Sequence, residues 1–130
     1  MTVRDSFLCK TPIAHRGLHE GVPENSRAAF ARAIEEGYAI ETDVRRTKDG
    51  TLVVIHDDNL KRMTGTEGKV SRTSYRELAD LRLCGTEEKI MTLQEFLEYV
   101  DGRAPVLLEV KDLYTVVNFP REVVHVMQQY

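Results

Sequence analysis

Short apolar segments alternate with amphipathic ones along this chain, and the alternation constrains its fold more than any other feature. Residues 12–15 have the pattern of a buried strand, residues 26–36 that of a helix, and residues 39–46 that of a second strand. A capping box, Thr-Leu-Gln-Glu, precedes another predicted helix, and a strand at 105–111 and a helix at 121–129 follow. This order predicts an α/β domain with a parallel sheet, whose functional side chains gather at the carboxyl ends of the strands.

A hairpin and a polar segment interrupt the alternation. Residues 39–46 and 51–57 are both extended in character, and the Lys-Asp-Gly turn between them predicts an antiparallel hairpin. Residues 59–85 are polar and rich in Gly, Thr, Lys and Arg, with a short helical pattern at 75–81. We expect this segment to lie on the surface.

Composition and charge exclude several classes of function. The chain has 130 residues, of which 42% are apolar and 30% charged, as in ordinary globular proteins. Its formal net charge of −3 provides no basic field for nucleic acid or anionic lipid. The sequence contains neither an apolar run that could span a bilayer nor a signal-peptide pattern. We therefore expect a cytoplasmic protein with small-molecule partners, no nucleic-acid partner and no stable membrane insertion.

Polar residues stand where apolar strands would otherwise continue. His15 ends the first strand, and Glu41 and Asp43 lie on one face of the second because strand side chains alternate. Glu109 interrupts a later strand and shares a face with Lys111. Carboxylates grouped in this way repel one another unless a positive charge lies between them. Their oxygens suit Mg²⁺ or Ca²⁺, and no cysteine pair has the spacing of a structural zinc site.

The Lys-Asp-Gly turn also predicts the position of His56. If its last two residues form the centre of a two-residue turn, His56 lies opposite Asp43; if its first two do, His56 lies opposite Glu41. Both registers place the histidine on the acidic face, whereas a three-residue bulged loop would change the pairing. Two histidines, a cation and Arg16 together suggest attack on a phosphate ester.

Four motifs carry a resemblance to a known family. They are AHRG at 14–17, PENS at 23–26, IETDVRRTKDGTLVVIHD at 40–57 and LLEVK at 107–111. In this order and at these separations they resemble the signature of the glycerophosphodiester phosphodiesterase family, over most of the chain. The resemblance implies a TIM-barrel, (β/α)8 fold and a metal-dependent phosphoric diester hydrolase. Such an enzyme would cleave glycerophosphodiesters, including deacylated phospholipids, to glycerol phosphate and an alcohol with bound Mg²⁺ or Ca²⁺.

The resemblance also implies roles for individual residues. The matching positions are His15 and His56 for the acid/base pair, Glu41, Asp43 and Glu109 for the metal ligands, Arg16 and Lys111 for the phosphate contacts, and Glu24 for a supporting role in substrate binding. Residues 59–93 are similar to a small insertion that follows the His-Asp motif and borders the substrate cleft. We therefore expect residues 1–130 to be the N-terminal portion of such a catalytic domain.

A complete barrel needs about 250 residues, so this sequence predicts a truncated half-barrel. Three arrangements are compatible with that length: a fragment of a longer protein, a half-barrel that closes against a second copy, and a rearranged open sheet. Open sheet edges and an unfilled apolar interior favour a homodimer or larger assembly. Two alternative functions follow: a catalytically incomplete module for oligomerisation or folding, and a lysophospholipase D-type activity, which would require an apolar groove beside the site.

Overall fold

The structure, a computed structural model, describes residues 11–111 and 119–129. Strand β1 (Ile13–His15), helix α1 (Arg27–Glu35), and strands β2 (Ala39–Arg46) and β3 (Leu52–Val54) come first. Helices α2 (Lys61–Thr64) and α3 (Tyr75–Leu78) follow, with 3-10 turns at Val70–Arg72 and Leu83–Gly85. Helix α4 (Leu93–Val100), strand β4 (Val106–Val110) and helix α5 (Phe119–Met127) come last. Within the two described ranges, no helix is both long and apolar enough to cross a bilayer.

Helices α1 and α4 cover one face of the sheet. Their aromatic rings, Phe30 and Phe96, are fully buried with centroids 4.6 Å apart, in one hydrophobic cluster with Ile40 of β2. Both helices begin where the sequence predicts, because Ser26 caps α1 and the predicted capping box at Thr92 caps α4. This main core therefore lies on the helical side of β2, and the opposite face of β2 carries Glu41 and Asp43.

Strand β2 is the centre of the sheet and pairs with every other described strand. It runs parallel to β1 and β4 and antiparallel to β3. The parallel registers set His15 beside Glu41 and Asp43 beside Glu109. These side chains share the face opposite the helices, which we call the acidic face.

Strands β1 and β3 lie along the same edge of β2. The Glu41 carbonyl accepts a hydrogen bond from the N–H of Arg16, and the Asp43 carbonyl accepts one from the N–H of Ile55. The Val44 carbonyl, one residue further, accepts instead from the chain that follows β4. Alternate backbone groups point to opposite edges, so β4 is the one strand of the described residues that lies along the second edge.

The turn between β2 and β3 is a three-residue loop, and both predicted registers are wrong. Val44 pairs with Val54, so Ile55, not His56, lies opposite Asp43. The glycine that ends the loop adopts a φ of 89°, which accommodates the extra residue. The strand is also shorter than the predicted 51–57, and His56 lies beyond its end.

Residues 55–91, which we call the excursion, have a small hydrophobic core of their own. Leu60, Met63, Leu78 and Leu83 are almost completely buried there and pack against Val53 of β3. The segment enters and leaves the sheet at one place, since the N–H of Val54 donates to the Met91 carbonyl at 2.9 Å.

Gly17 provides a test of packing at the end of β1. Its φ is 81°, and an added Cβ would lie 2.8 Å from the Ala29 Cβ and 2.9 Å from the Ala29 carbonyl carbon. We expect Gly17→Ala to lower the free energy of unfolding by about 3 kcal/mol, because backbone strain and overpacking add. Gly21→Ala is the control: φ is 77° but nothing lies within 4 Å, so only a loss of about 1 kcal/mol is expected. Equal losses in urea unfolding would contradict the packing argument.

Candidate active site

Three carboxylates form a cluster on the acidic face. One oxygen each of Glu41, Asp43 and Glu109 lies within 4.8 Å of the others. Asp43 is fully buried, Glu41 largely so, and the Glu109 side chain is 57% exposed. Oε1 of Glu41 and Oδ1 of Asp43 are buried and accept no hydrogen bond from any described residue. Buried carboxylate oxygens usually accept hydrogen bonds, and these two do not. Together with the third carboxylate they fit the ligand set of a hard divalent cation.

The charge of the cluster is not fully compensated by the protein. Burial, and next the neighbouring Asp43 carboxylate, raise the pKa of Glu41. A divalent cation between these groups would favour their ionised forms. The direction of the Glu41 pKa shift therefore agrees with a cation-binding role for the three carboxylates.

Two basic side chains lie beside the cluster. Nζ of Lys111 is 2.8 Å from Oε1 of Glu109 and 3.8 Å from Oδ1 of Asp43, and its hydrogen bond lowers the pKa of Glu109. Nε of Arg16 is 3.7 Å from Oδ2 of Asp43, and it is buried without a hydrogen bond within the described chain. Arg16 also has a φ of 60°, an unfavourable conformation for a non-glycine residue. Both cations are placed where a phosphate could bind.

Each predicted histidine lies near a different acid. Nε2 of His15 is 3.6 Å from Oε2 of Glu41, and the ring is 64% exposed. His56 adds a minor contribution, after that of Lys111, to the lowered pKa of Glu109. Nδ1 of His56 lies 2.8 Å from Oδ1 of Asp57, and Asp57 is joined through Arg62 and Glu24 to Arg16 beside the cluster.

Glu24 is buried between two arginines. Its Oε2 accepts a hydrogen bond from Nη1 of Arg16 at 2.6 Å, and its Oε1 accepts one from Nη1 of Arg62. Burial alone would raise the pKa of Glu24, but the hydrogen bonds from Arg62 and Arg16 outweigh it and lower that pKa. Both oxygens of Glu24 accept hydrogen bonds from arginines, so Glu24 orients the Arg16 guanidinium.

Three further residues support the site and were not assigned from the sequence. Asn25 donates to Oδ2 of Asp43 at 3.3 Å while its Oδ1 accepts from the Thr42 hydroxyl at 2.7 Å. Asp57 and Arg62 form an ion pair next to His56. The PENS and IHD motifs contain the first two, whereas no local pattern marks Arg62, which contacts Glu24 across 38 positions.

Comparison with known proteins decides the family. The profile of the glycerophosphoryl diester phosphodiesterase family matches residues 15–129, a range that includes His15, His56, the three clustered acids, Arg16 and Lys111. The chain belongs to this family. The predicted resemblance is therefore confirmed.

Members of the family resemble the chain in sequence. A glycerophosphodiester phosphodiesterase from Caldanaerobacter subterraneus subsp. tengcongensis is 41% identical over 117 residues, covering 83% of this chain and 47% of the relative. A human lysophospholipase D is 36% identical over 121 residues, covering 85% of this chain and 35% of that protein. The chain thus spans about half or less of the length of these curated relatives.

Solved structures of the family have the same fold. The glycerophosphodiester phosphodiesterase from Agrobacterium tumefaciens superposes with a TM-score of 0.84 at 32% identity, covering 92% of this chain and 52% of that one. A phosphodiesterase from Oleispira antarctica, in complex with the product sn-glycerol-3-phosphate, gives 0.84 at 31% identity with the same coverages. The predicted fold class, a truncated half-barrel of the TIM type, is confirmed. The described part contributes its parallel strands β1, β2 and β4.

Proposed function

We propose that this chain hydrolyses glycerophosphodiesters to glycerol phosphate and an alcohol. The observation that carries the proposal is the convergence of three carboxylates, two of them with buried unbonded oxygens, beside Arg16, Lys111 and His15. His56 is linked to this group through Asp57, Arg62 and Glu24. The Oleispira antarctica relative with sn-glycerol-3-phosphate supports the substrate class. Hydrolysis breaks the bond between phosphorus and the leaving alcohol oxygen, and water supplies the new oxygen and proton.

A bound Mg²⁺ or Ca²⁺ would be held by Glu41, Asp43 and Glu109, and would supply positive charge to a phosphoryl oxygen. Arg16 and Lys111 would contact other oxygens of the phosphate. Both are already close to Asp43, so little reorganisation is needed. Glu24, with both oxygens engaged by arginines, supports substrate binding by orienting Arg16.

His15 and His56 would move the protons. One imidazole takes a proton from the attacking hydroxyl, and the other gives a proton to the leaving alcohol oxygen. The attacking hydroxyl belongs either to water or to the glycerol of the substrate. In the second case a cyclic phosphate forms, and water then opens it with the two imidazoles in exchanged roles.

The decisive experiment is incubation of the purified chain with glycerophosphocholine and Mg²⁺ or Ca²⁺, with released glycerol phosphate as the readout. We expect product that a chelator abolishes and that Glu41→Gln lacks, which excludes a contaminant. No product above that of Glu41→Gln would contradict the proposal. Lysophosphatidylcholine belongs in a parallel arm, because a human lysophospholipase D is among the relatives. Cleavage of that lipid alone would favour the second activity.

Residues 59–93 would border the substrate cleft. The support is that Arg62 of α2 reaches Glu24 and Asp57, next to Arg16 and His56. The segment thus lies against the proposed phosphate side of the site.

We also propose that the chain alone forms a dimer or larger assembly. Ile13 of β1 is 42% exposed on the acidic face, and β1 has no second neighbouring strand among the described residues. Sedimentation should show association that Ile13→Asp weakens, whereas Val124→Asp, at a residue 52% exposed on α5, should leave it unchanged. A compact monomer at all concentrations would contradict this. An assembly without turnover would favour the incomplete half-barrel as an oligomerisation or folding module.

A further inference from the structure

Arg62 links two sides of the site through its guanidinium group. Its Nε and Nη2 donate to the two oxygens of Asp57, at 2.7 and 3.2 Å, and its Nη1 donates to Glu24. Asp57 follows β3, whereas Glu24 lies in the loop that precedes α1. Arg62 therefore joins the chain that follows β3 to the loop that precedes α1. Paired charge-assisted hydrogen bonds of this kind define orientation as well as distance.

Asp57, which Arg62 binds, also contacts the imidazole of His56, a proposed catalytic residue. Oδ1 of Asp57 lies 2.8 Å from Nδ1 of His56. The hydrogen bonds from Arg62 hold the pKa of Asp57 well below its usual range, so Asp57 is a carboxylate that can only accept. The proton of a neutral His56 ring then lies on Nδ1, and Nε2 is left with the lone pair that a base needs.

The contact with Glu24 anchors this arrangement to the sheet. Glu24 is 8% exposed and also accepts from Arg16, which borders the acidic cluster. Arg62 itself is half exposed on a one-turn helix, and its neighbour Met63 provides the packing of that helix in the excursion core. Loss of the Arg62 head group would thus remove the link and leave the hydrophobic core in place.

We propose that Arg62 is a positioning residue for His56: acting through Asp57 and anchored by Glu24, it holds the imidazole in the Nδ1–H tautomer, which leaves Nε2 unprotonated for the proposed proton transfer. The inference rests on the proposed function for its catalytic meaning. The tautomer itself can be measured without turnover. Without Arg62, the Asp57 carboxylate can turn to water, and the ring can exchange between both tautomers.

Heteronuclear NMR of the chain with labelled histidine tests the proposal, with the His56 signals assigned from their loss in His56→Ala. We expect one tautomer of His56 in the unmodified chain and a mixture in Arg62→Ala at the same pH. Lys61→Ala is the matched control, because it removes one positive charge from the same helix, and the partners of its ammonium are the exposed Glu67 and the Gly65 carbonyl. That variant should keep the single tautomer. Arg62→Lys, which retains the charge but lacks the forked donors, should resemble Arg62→Ala.

Kinetics give a second readout where the chain turns over glycerophosphocholine. Arg62→Ala should lower kcat by about 10- to 100-fold, because a misplaced His56 proton removes part of the contribution of acid/base catalysis. KM should change less than about threefold, because Arg62 is not a proposed phosphate contact. An unchanged His56 tautomer in folded Arg62→Ala would overturn the proposal whatever the kinetics. Absence of turnover in the unmodified chain would instead reject the proposed function, while the NMR result would still decide the role of Arg62.

Discussion

Alanine in place of His15 or His56 should lower turnover of glycerophosphocholine by at least about 10³-fold. The two rings come from different segments and have different acidic neighbours, Glu41 for His15 and Asp57 for His56, so we expect neither to take over the proton transfer of the other. The loss should fall on kcat more than on KM, because Arg16, Lys111 and the proposed metal ligands remain. Release of glycerol phosphate under saturating substrate and Mg²⁺ or Ca²⁺ is the measurement.

His125→Ala is the control, because it removes a histidine that lies outside the proposed site. This ring lies on α5, exposed and close to Gln129, and it contacts none of the site residues described above. Its rate should stay within about twofold of the unmodified chain. A loss smaller than tenfold in either site variant would remove that histidine from the proposed mechanism.

The second large effect concerns metal affinity. Glu41→Gln should weaken binding of Ca²⁺ or Mg²⁺ by about 100-fold or more, because it removes one anionic ligand of a hard-cation site. Glu67→Gln, at a side chain 82% exposed and paired only with Lys61 in the described structure, should bind as before. Isothermal titration calorimetry measures both. Equal affinity in the two variants would contradict the assignment of the cluster.

The same variant separates a metal ligand from a structural carboxylate by its effect on stability without metal. The raised pKa of Glu41 means that the folded state binds its proton more tightly than the unfolded chain. Stability is therefore lost as pH rises through the pKa range of this group, and the ionised form is unfavourable at neutral pH. Gln removes that penalty, so urea unfolding without metal should show equal or higher stability for Glu41→Gln. A clear loss of stability would indicate that the carboxylate has a structural role instead.

The alternation of side chains along a strand was enough to predict part of the site. It placed Glu41 and Asp43 on one face from their spacing alone, and the structure has them there. That Glu109 lies beside Asp43 depends on the parallel register of β2 and β4, which no local pattern contains. The resemblance to the family grouped Glu109 with Asp43, because the roles of family residues are defined in the complete folded barrel.

The hairpin shows where local reasoning failed. Two-residue turns are common, and each would have paired His56 with an acid directly. The additional loop residue puts Ile55 opposite Asp43 instead. His56 instead lies beyond β3 beside Asp57, which pairs with Arg62. Contacts between residues far apart in sequence, such as Arg62 with Glu24, cannot be inferred from spacing.

The two ends of the excursion lie side by side at the sheet, which bears on protein engineering and on sequence divergence within the family. Because the N–H of Val54 is bonded to the Met91 carbonyl, the sheet itself holds the two attachment points together. Loop-closure entropy changes only slowly with length, and the segment has its own small core. Segments of different length between Asp57 and Met91 could therefore be exchanged without rebuilding the barrel wall. Under the positioning role proposed for Arg62, any replacement would have to bring its own arginine to the Asp57 carboxylate.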